Sequence, residues 1–550
     1  MMKKTIKKLL AALLAVAMVC AMAIPAFAFE PWETKEDLYD HHSYIAFQIF
    51  KGVISSKDNP KLSDVTWGSH ITHPDNFLEE LKGAPIIGAQ FQSIDATNAT
   101  DATTVQKVLA VISKWDDSDD NSIAFARFVC RYLYSSGDTK SNIVGGNSSI
   151  TIPEAGYYLI VDNIDFSNGD YYHAYNSFLL VNVPQAVQTS FNVTINHKVV
   201  KPTVEKKVYD NQDGTNNEAG FTSSADHAIN EKFQFQLIAK LPAGRDEGRA
   251  YDYYDKYTVC FNDTLSEGIT YDGLDSVVIE SNGTPYDITK DSSKYDIDIS
   301  NLKSQNSFVV KIHDVKNCVA NLNDGATITV TYTAHLNENA AVNGSTDNKN
   351  KVQLQYSNNP SNSAYWGFTP ESAVCVYTYQ LNNTKYHDDD TPGNELAGAG
   401  FRLYSDKACT QEVKLYQKDN FYFPIKDATD KDKDAVQMIS GQDGQFNVKG
   451  LDAGTYYLRE TKTPDDYSAC PDTEIVISAT HDVNNVSLSG NLSNKIINKK
   501  AGGITLPSTG GIGTTLFYVV GIGQLVHVLG IGGHSTGLMQ LVDVIAEGGV

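Results

Sequence analysis

The sequence contains too few basic residues for a nucleic-acid-binding protein. Its 550 residues include 44 Lys and Arg against 66 Asp and Glu, which gives a net charge of −22. Nucleic acids bind through cationic side chains that neutralise their phosphates. We therefore exclude nucleic acid as a partner, whereas the excess of acidic residues suits a soluble protein surface.

Cysteine is also scarce, with seven residues in the whole chain. No two of them form a Cys-x-x-Cys pair, so the sequence does not predict a zinc site built on thiolates. No other spacing predicts a metal ion or a cofactor, and we expect neither. Beyond Cys20, the cysteines are Cys130, Cys260, Cys318, Cys375, Cys409 and Cys470.

The N-terminus has the three parts of a secretory signal peptide. Four Lys lie within the first eight residues, an apolar run extends from Leu9 to Ala23, and Ala26-Phe27-Ala28 supplies a small-x-small cleavage site. This pattern predicts a signal peptide over residues 1–28 and disfavours a membrane anchor. Export permits disulfides; we predict one between Cys409 and Cys470, and the pairing of the other four cysteines stays open.

The remaining chain predicts a mainly β protein in three domains. Residues 29–197 mix strand patterns with a helical stretch at Asn121–Leu133. Residues 198–380 and 381–500 alternate apolar and polar positions between clusters of Gly, Asn and Asp, as β-sandwiches do. Residues 501–550 contain a linker and an apolar tail. Only 6 Met against 30 Tyr is a composition that favours strands over helix bundles.

The tail begins with the most informative motif of the sequence. Leu506, Pro507, Ser508, Thr509 and Gly510 spell LPSTG, after a linker and before an apolar run, on a chain that carries an export signal. Sortases recognise such a motif, cleave between its Thr and Gly, and hold the Thr as a thioester. The motif predicts covalent attachment of the chain through Thr509.

Together these features resemble the major pilins of Gram-positive, sortase-assembled pili. The resemblance extends from YIAFQIFKG and LSDVTWG near the start to YYLRETKTP and LPSTG near the end. It implies tandem immunoglobulin-like domains with internal Lys–Asn isopeptide bonds, the last domain being of the collagen-adhesin B type. It also implies a sortase that joins Thr509 to a lysine of the next identical subunit, in a pilus on the cell wall. Minor pilins, peptidoglycan and host ligands are further partners that the family suggests.

The middle domain offers a lysine, an acid and an asparagine on apolar strand faces. Side chains alternate along a strand, so Lys206 shares a face with Val204 and Val208 in PTVEKKV. By the same phasing, Asp263 ends the apolar row of YTVCFND and Asn350 begins that of NKVQLQY. We predict that all three side chains project into one core.

Burial of these groups would suit formation of an isopeptide bond. An apolar site lowers the pKa of a lysine, which gives an amine that can attack. It raises the pKa of a carboxyl group, so Asp263 can stay protonated and polarise the Asn350 amide. The predicted reaction releases ammonia once per site, so we expect self-crosslinking and no enzyme activity on a substrate.

The last domain repeats this arrangement of residues. Glu460 is in phase with Leu458 in YYLRETKTP, which resembles the glutamate motif of collagen-adhesin B-type domains. The same resemblance assigns Lys385 to the first strand and Asn498 to the closing strand. Asn494 is the alternative to Asn498.

The lysine that joins one subunit to the next is assigned by resemblance alone. Family motifs place it at the end of the first domain, where this sequence reads NVTINHKVVKPTVEKKV. Lys198 aligns best, and Lys201, which precedes Pro202, is the competitor.

The tail departs from the family pattern. Family tails are an apolar span followed by basic residues, but no Lys or Arg follows Gly510, and Gln524 and His527 interrupt the apolar run. A wall-anchored adhesin or minor tip pilin that is not polymerised is the alternative to a backbone subunit. A secreted hydrolase would need a nucleophile and base, and the sequence offers no such set.

Overall fold

The structure is a computed structural model. It describes residues 43–54, 62–116, 120–137, 143–146, 149–162, 179–183, 191–195, 201–211, 220–242, 251, 254, 256–319, 322–323, 325–360, 366–426 and 434–501.

The first part of the chain combines a sheet with helices. Its main sheet has the order β2-β1-β5-β6, β3 pairs with β1, and β4 and β7 form a separate two-stranded antiparallel sheet. The strands are β1 (Tyr44–Ile54), β2 (Leu62–Trp67), β3 (Val144–Gly145), β4 (Ser149–Ile152), β5 (Gly156–Asp162), β6 (Leu179–Val183) and β7 (Phe191–Thr194). The helices are α1 (Pro74–Lys82), α2 (Ala102–Ile112) and α3 (Asp120–Ser136), with a 3₁₀ turn at Gly88–Phe91.

These helices cover one face of the sheet because each has an apolar stripe. Phe77, Leu78 and Leu81 of α1 are fully buried, and they belong to the same core as Phe50 of β1. The helical stretch predicted at Asn121–Leu133 is confirmed by α3. The mixed α+β character predicted for this part of the chain is also confirmed.

The middle part is a sandwich of two sheets. One sheet has the order β10-β20-β18-β12-β16-β15 with β19 beside β18, and the other has the order β14-β13-β17-β11-β8-β9. The first sheet contains β10 (Ser224–Asp226), β12 (Val259–Leu265), β15 (Tyr295–Asp298), β16 (Ser307–Ile312), β18 (Lys349–Ser357), β19 (Trp366–Phe368) and β20 (Ser372–Tyr377). The second contains β8 (Thr203–Asp210), β9 (Gly220–Thr222), β11 (Lys232–Lys240), β13 (Ile269–Ser281), β14 (Thr284–Asp287) and β17 (Thr327–Leu336). A short helix α4 (Leu302–Gln305) and a 3₁₀ turn at Val315–Asn317 lie in its connections.

The last part is a smaller sandwich, and a single residue, Thr378, separates its first strand from β20. Its sheets have the orders β24-β25-β27-β21-β32-β29 and β23-β22-β28-β30-β31, with β26 beside β22. The first contains β21 (Tyr379–His387), β24 (Leu415–Lys418), β25 (Phe421–Pro424), β27 (Asn447–Leu451), β29 (Tyr467–Ser468) and β32 (Ser493–Lys500). The second contains β22 (Gly400–Tyr404), β23 (Glu412–Val413), β26 (Met438–Ile439), β28 (Gly454–Lys462), β30 (Thr473–His481) and β31 (Val486–Gly490).

Strand alternation builds both sandwich cores. Along β8, exposed and buried residues alternate from Thr203 to Lys206, as they do along β11 with Phe233, Phe235 and Leu237 inward. Burial of such side chains contributes roughly 1.5–3 kcal/mol each. The mainly β, tandem-sandwich fold predicted from the sequence is confirmed.

Within the described ranges, no helix has both the length and the apolar character needed to span a bilayer.

The two sandwiches contact each other through main-chain and side-chain hydrogen bonds. Ile229 N–H donates to the Gly450 carbonyl over 2.9 Å, and Asn230 Nδ2 donates to the Pro424 carbonyl over 2.8 Å. Lys449 Nζ donates to the Glu338 carbonyl over 2.8 Å. These hydrogen bonds join residues of the middle sandwich to residues of the last one.

Gly450 is the position where this junction tolerates no side chain. Its φ is +89°, and an added Cβ would lie 2.5 Å from Ile229 Cδ1. We expect Gly450→Ala to destabilise the protein, because strain at positive φ costs about 1–3 kcal/mol before the clash is counted. The unfolding temperature of the full chain, measured by calorimetry, tests this.

Gly398→Ala is the matched control. Gly398 has a similar φ of +82°, but nothing lies within 4 Å of its added Cβ. Both variants carry the backbone strain, and only Gly450→Ala carries the clash. Equal losses in unfolding temperature would contradict close packing of Ile229 on Gly450.

Candidate functional site

The middle sandwich brings the predicted Lys206, Asp263 and Asn350 into one buried site. Lys206 lies on β8 of one sheet, while Asp263 on β12 and Asn350 on β18 lie on the facing sheet. Antiparallel pairing sets Asp263 opposite Val352 and Leu265 opposite Asn350, so the acid and the amide are neighbours on one face. All three residues are at most 2% exposed.

Tyr332 on β17 links these three side chains. Lys206 Nζ contacts the Asp263 carboxylate directly and lies 3.2 Å from Tyr332 Oη. Tyr332 Oη lies 3.2 Å from Asp263 Oδ1, and Asn350 Nδ2 donates to Tyr332 Oη over 2.5 Å. The Asn350 amide therefore reaches the acid through the phenol, whereas the sequence predicted that Asp263 would contact the amide itself.

Tyr332 was not among the residues predicted from the sequence. Its burial could have been inferred, because Tyr332 alternates in phase with the buried Ile328, Val330 and Ala334 of β17. A buried Tyr hydroxyl normally needs a hydrogen-bond partner. That requirement is the signal that could have added Tyr332 to the site.

Burial shifts the ionisation of this site in the direction the chemistry needs. Desolvation lowers the pKa of Lys206 to about 8, although the nearby Asp263 carboxylate opposes this shift. Desolvation also raises the pKa of Asp263, against the opposing effect of Lys206. Desolvation thus brings the pKa values of the Lys206 amine and the Asp263 carboxyl group closer together and favours the neutral form of each group.

The Lys206 ammonium also has aromatic neighbours. Its Nζ lies 5.3 Å from the ring centroid of Phe235 and 5.4 Å from that of Tyr332. Asn350 Oδ1 has no hydrogen-bond partner within the described residues. An amide oxygen that is buried without a hydrogen-bond donor raises the free energy of the folded protein, so the Asn350 carbonyl oxygen is an unsatisfied acceptor.

The last sandwich brings Lys385, Glu460 and Asn498 together in the same way. Lys385 on β21 and Asn498 on β32 lie on adjacent parallel strands, and both residues are fully buried. Lys385 Nζ donates to Asn498 Oδ1 over 2.6 Å and to the Ile496 carbonyl over 3.2 Å. Asn498 Nδ2 donates to Glu460 Oε1 over 2.7 Å, from β28 of the facing sheet.

In this second site the acid is less buried than in the first. Glu460 is partly exposed, and its Oε2 accepts the Cys470 N–H over 2.8 Å. Desolvation lowers the pKa of Lys385, with the nearby Cys470 thiol and Glu460 opposing the shift. The two sites share a buried lysine with a lowered pKa in a group with an acid and an asparagine.

Asn494, the alternative to Asn498, faces another residue. Its Nδ2 donates to Asn383 Oδ1 over 3.0 Å and to the Asn491 carbonyl over 3.1 Å. Of the two asparagines on β32, the one in contact with Lys385 is Asn498.

The structure does not join Cys409 and Cys470, so the predicted disulfide is not formed in it. Both are free thiols. The Cys409 sulfur faces the Asp472 carboxylate at 3.8 Å, whereas Cys470 lies beside Glu460 in the group that contains Lys385 and Asn498. The two side chains serve different local contacts, which sequence spacing could not reveal.

Several predicted residues lie outside the described residues. They are the signal peptide over residues 1–28, Lys198, and the motif residues Leu506, Pro507, Ser508, Thr509 and Gly510. Lys201, the competitor of Lys198, lies just before β8 and is partly exposed.

Two protein-family models match the two sandwiches. Residues 248–360 match the Gram-positive pilin backbone subunit 2, Cna-B-like domain. Residues 382–491 match the SpaA prealbumin-like fold domain. Each match spans the acid of its site, Asp263 or Glu460, and the first also spans Asn350.

A curated relative matches part of the chain. The trypsin-resistant surface T6 protein of Streptococcus pyogenes serotype M6 is 24% identical over 274 residues, which is 48% of this chain. The chain spans 45% of the length of that relative.

Solved structures of pilins are similar in fold. The T6 backbone pilin of serotype M6 Streptococcus pyogenes is 16% identical with a TM-score of 0.46, covering 84% of this chain and 97% of that one. The group B streptococcus pilus 2b backbone protein is 22% identical with a TM-score of 0.37, covering 56% and 99%. The major pilin SpaD of Corynebacterium diphtheriae is 18% identical with a TM-score of 0.40, covering 65% and 81%.

The middle sandwich thus matches a Gram-positive pilin backbone domain and the last sandwich a SpaA domain, so the predicted resemblance of this chain to the major pilins of Gram-positive bacteria is confirmed.

Proposed function

We propose that this protein is the backbone subunit of a covalent pilus on the cell surface. A sortase would join Thr509 of one subunit to Lys198 of the next, and isopeptide bonds Lys206–Asn350 and Lys385–Asn498 would stiffen each subunit. The observation that carries the proposal is the occurrence of a buried lysine, an acid and an asparagine in each of two domains that match pilin families.

The proposed reaction in the middle domain is an amide exchange. The neutral Lys206 amine attacks the Asn350 side-chain carbonyl carbon, a C–N bond forms, and the Asn350 nitrogen leaves as ammonia. Asp263, which starts protonated, gives its proton to Tyr332, and Tyr332 passes its own hydroxyl proton to the Asn350 nitrogen that leaves. The Asp263 carboxylate, which contacts the amine, then takes the proton that the attacking amine loses.

The reaction in the last domain uses the same bonds with a different acid position. Lys385 lies 2.6 Å from Asn498 Oδ1, and Glu460 holds the nitrogen that leaves as ammonia. The folded core already holds the amine and the amide close together, so no enzyme is needed to bring these two reactants into contact. Each site turns over once, so the chain is a structural protein that modifies itself.

Intact mass tests both internal bonds. Each bond releases one ammonia of about 17 Da, so we expect the mass of the folded protein to be about 34 Da below the mass calculated from its sequence. Asp263→Asn and Glu460→Gln should each restore one ammonia, because they remove the proton acceptor while keeping the side-chain volume. Mass spectrometry of the denatured full chain measures this.

Asp296→Asn is the control for the loss of one carboxylate. Asp296 lies on the exposed strand β15 and pairs with His313, away from both sites. Its mass deficit should equal that of the wild type. A deficit that survives Asp263→Asn would remove Asp263 from the mechanism.

Tyr332→Phe tests the relay in the middle site. Loss of the hydroxyl removes the link between Asp263 and Asn350, so we expect bond formation to slow by about 10²–10⁴-fold. The fraction of crosslinked protein, followed by mass spectrometry after synthesis or refolding, gives this rate. The bond of the last domain, located by peptide mapping, should form at the wild-type rate.

Tyr271→Phe is the matched control for Tyr332→Phe. The Tyr271 ring packs 5.6 Å from that of Tyr332, but its hydroxyl does not take part in the network. It should therefore crosslink at the wild-type rate. Equal slowing in both variants would indicate a packing effect and contradict a role for the phenol.

Polymerisation is tested by the branched peptide between subunits. With a pilus-type sortase, wild type and Lys201→Ala should form ladders joined through Thr509 and Lys198, whereas Lys198→Ala should form none. Peptide mapping of the ladder and of cell-wall digests locates the bond. Thr509 joined only to peptidoglycan would support the wall-anchored adhesin or minor tip pilin, and a bond to Lys201 would reassign the lysine.

A further inference from the structure

A second group of buried ionisable residues lies where the two sandwiches meet. Asp210 ends β8 and Asp226 ends β10 of the middle sandwich, while His481 ends β30 of the last one. The two aspartates are 5% and 0% exposed, and the His481 side chain is 2% exposed. None of the three takes part in the crosslinking sites.

The three side chains converge on one point without bonding to each other directly. His481 Nε2 lies 3.4 Å from Asp226 Oδ1 and 3.9 Å from Asp210 Oδ2. These distances are longer than the 2.7–3.2 Å of an N–H···O hydrogen bond. Asp226 Oδ1, fully buried, accepts no hydrogen bond within the described part of the chain.

The surrounding contacts orient Asp226 and His481. Tyr379 Oη donates to the other oxygen of Asp226, Oδ2, over 3.0 Å. His481 Nδ1 lies 2.9 Å from Ser224 Oγ, so a proton on Nδ1 leaves the Nε2 lone pair facing the two carboxylates. Such outer partners orient the ligands of metal sites.

We propose that Asp210, Asp226 and His481 bind a divalent transition metal ion of the zinc class, which joins the two domains. Ligands held about 2.0–2.2 Å from a tetrahedral ion lie roughly 3.3–3.6 Å apart, close to the distances seen here. Two carboxylates and a neutral imidazole carry a charge of −2, which a divalent ion cancels inside a dry site.

The ligand set selects this class of ion over calcium or magnesium. Calcium takes six to eight oxygen ligands, and magnesium keeps an octahedral shell rich in water. One imidazole and two carboxylates, with a position left for water, fit a four-coordinate zinc-type ion.

A neighbouring cluster at the same junction is a weaker candidate. His227, Glu231 and Asp452 also bring one ligand atom each within 4.8 Å of one another. There, however, Lys426 Nζ lies 3.3 Å from Glu231 Oε2 and already supplies a positive charge. In the first cluster, the ion pairs of Asp210 and Asp226 are with His481, whose ring is itself the proposed ligand.

Titration of the metal-free full chain with Zn²⁺ alone tests the proposal. By isothermal calorimetry, we expect His481→Ala to bind one zinc equivalent fewer than wild type, and Asp226→Asn to bind that equivalent about tenfold or more weakly. Co²⁺ alone should give visible absorption bands of a low-coordinate site in wild type, and these bands should be absent from both variants.

Two further variants locate the effect. His313→Ala removes an exposed histidine that pairs with Asp296, and it should keep the wild-type stoichiometry. His227→Ala should keep it as well, and loss of the equivalent there would move the site to the neighbouring cluster. Circular dichroism shows whether each variant is folded.

Equal zinc stoichiometry in wild type and His481→Ala, with equal Co²⁺ spectra, would overturn the proposal. His481 would then be only a structural partner of the two aspartates. A zinc-dependent rise in the unfolding temperature of wild type that His481→Ala lacks supports an ion at this junction. Because no crosslinking residue is altered, the mass deficit of these variants stays that of wild type and separates this result from the proposed pilus function.

Discussion

The structure depends on the placement of a lysine amine between apolar sheets. Water is excluded around Lys206 and Lys385, so the charged ammonium loses its hydration and the neutral amine becomes accessible. An unpaired charge in such a place would cost several kcal/mol, which is why each lysine lies against an acid or an amide. Because each buried lysine needs a polar partner, the groups that can react with the lysine lie beside it.

The two sites meet this requirement with different geometry. In the middle sandwich the lysine and the amide come from facing sheets, and Tyr332 with Asp263 fills the space between them. In the last sandwich the lysine and the amide lie on adjacent parallel strands, so they touch directly and Glu460 approaches from the other sheet. The same three functional groups thus occur in two packings, which explains why a phenol is present in one site and not needed in the other.

Strand alternation let the sequence predict the groups that share a face, but not the contacts between strands. Lys206, Asp263 and Asn350 could be assigned to one core because each is in phase with apolar neighbours. Tyr332 was missed because nothing local distinguishes it from other buried aromatic residues. Helices α1 and α2 were not predicted from the sequence. The pairing of Cys409 with Cys470 could not be judged, because it depends on distances across the sandwich. Asp210, Asp226 and His481 have no spacing signature, since they are far apart in sequence and meet only where two domains pack.

The location of the proposed bonds determines which parts of each domain would carry a pulling force. In the proposed pilus, force would enter the last sandwich through β21 and leave through β32. Lys385–Asn498 would join these two strands directly, so the other strands would carry little load. In the middle sandwich, force would enter through β8 and leave through β20. Lys206–Asn350 would join β8 to β18, and β18 pairs with β20 through the Asn350–Val374 register. Between the two covalent bonds, the force would then be carried only by the hydrogen bonds of β18 with β20 and by the single residue that links β20 to β21. The contacts of the domain junction surround that same point.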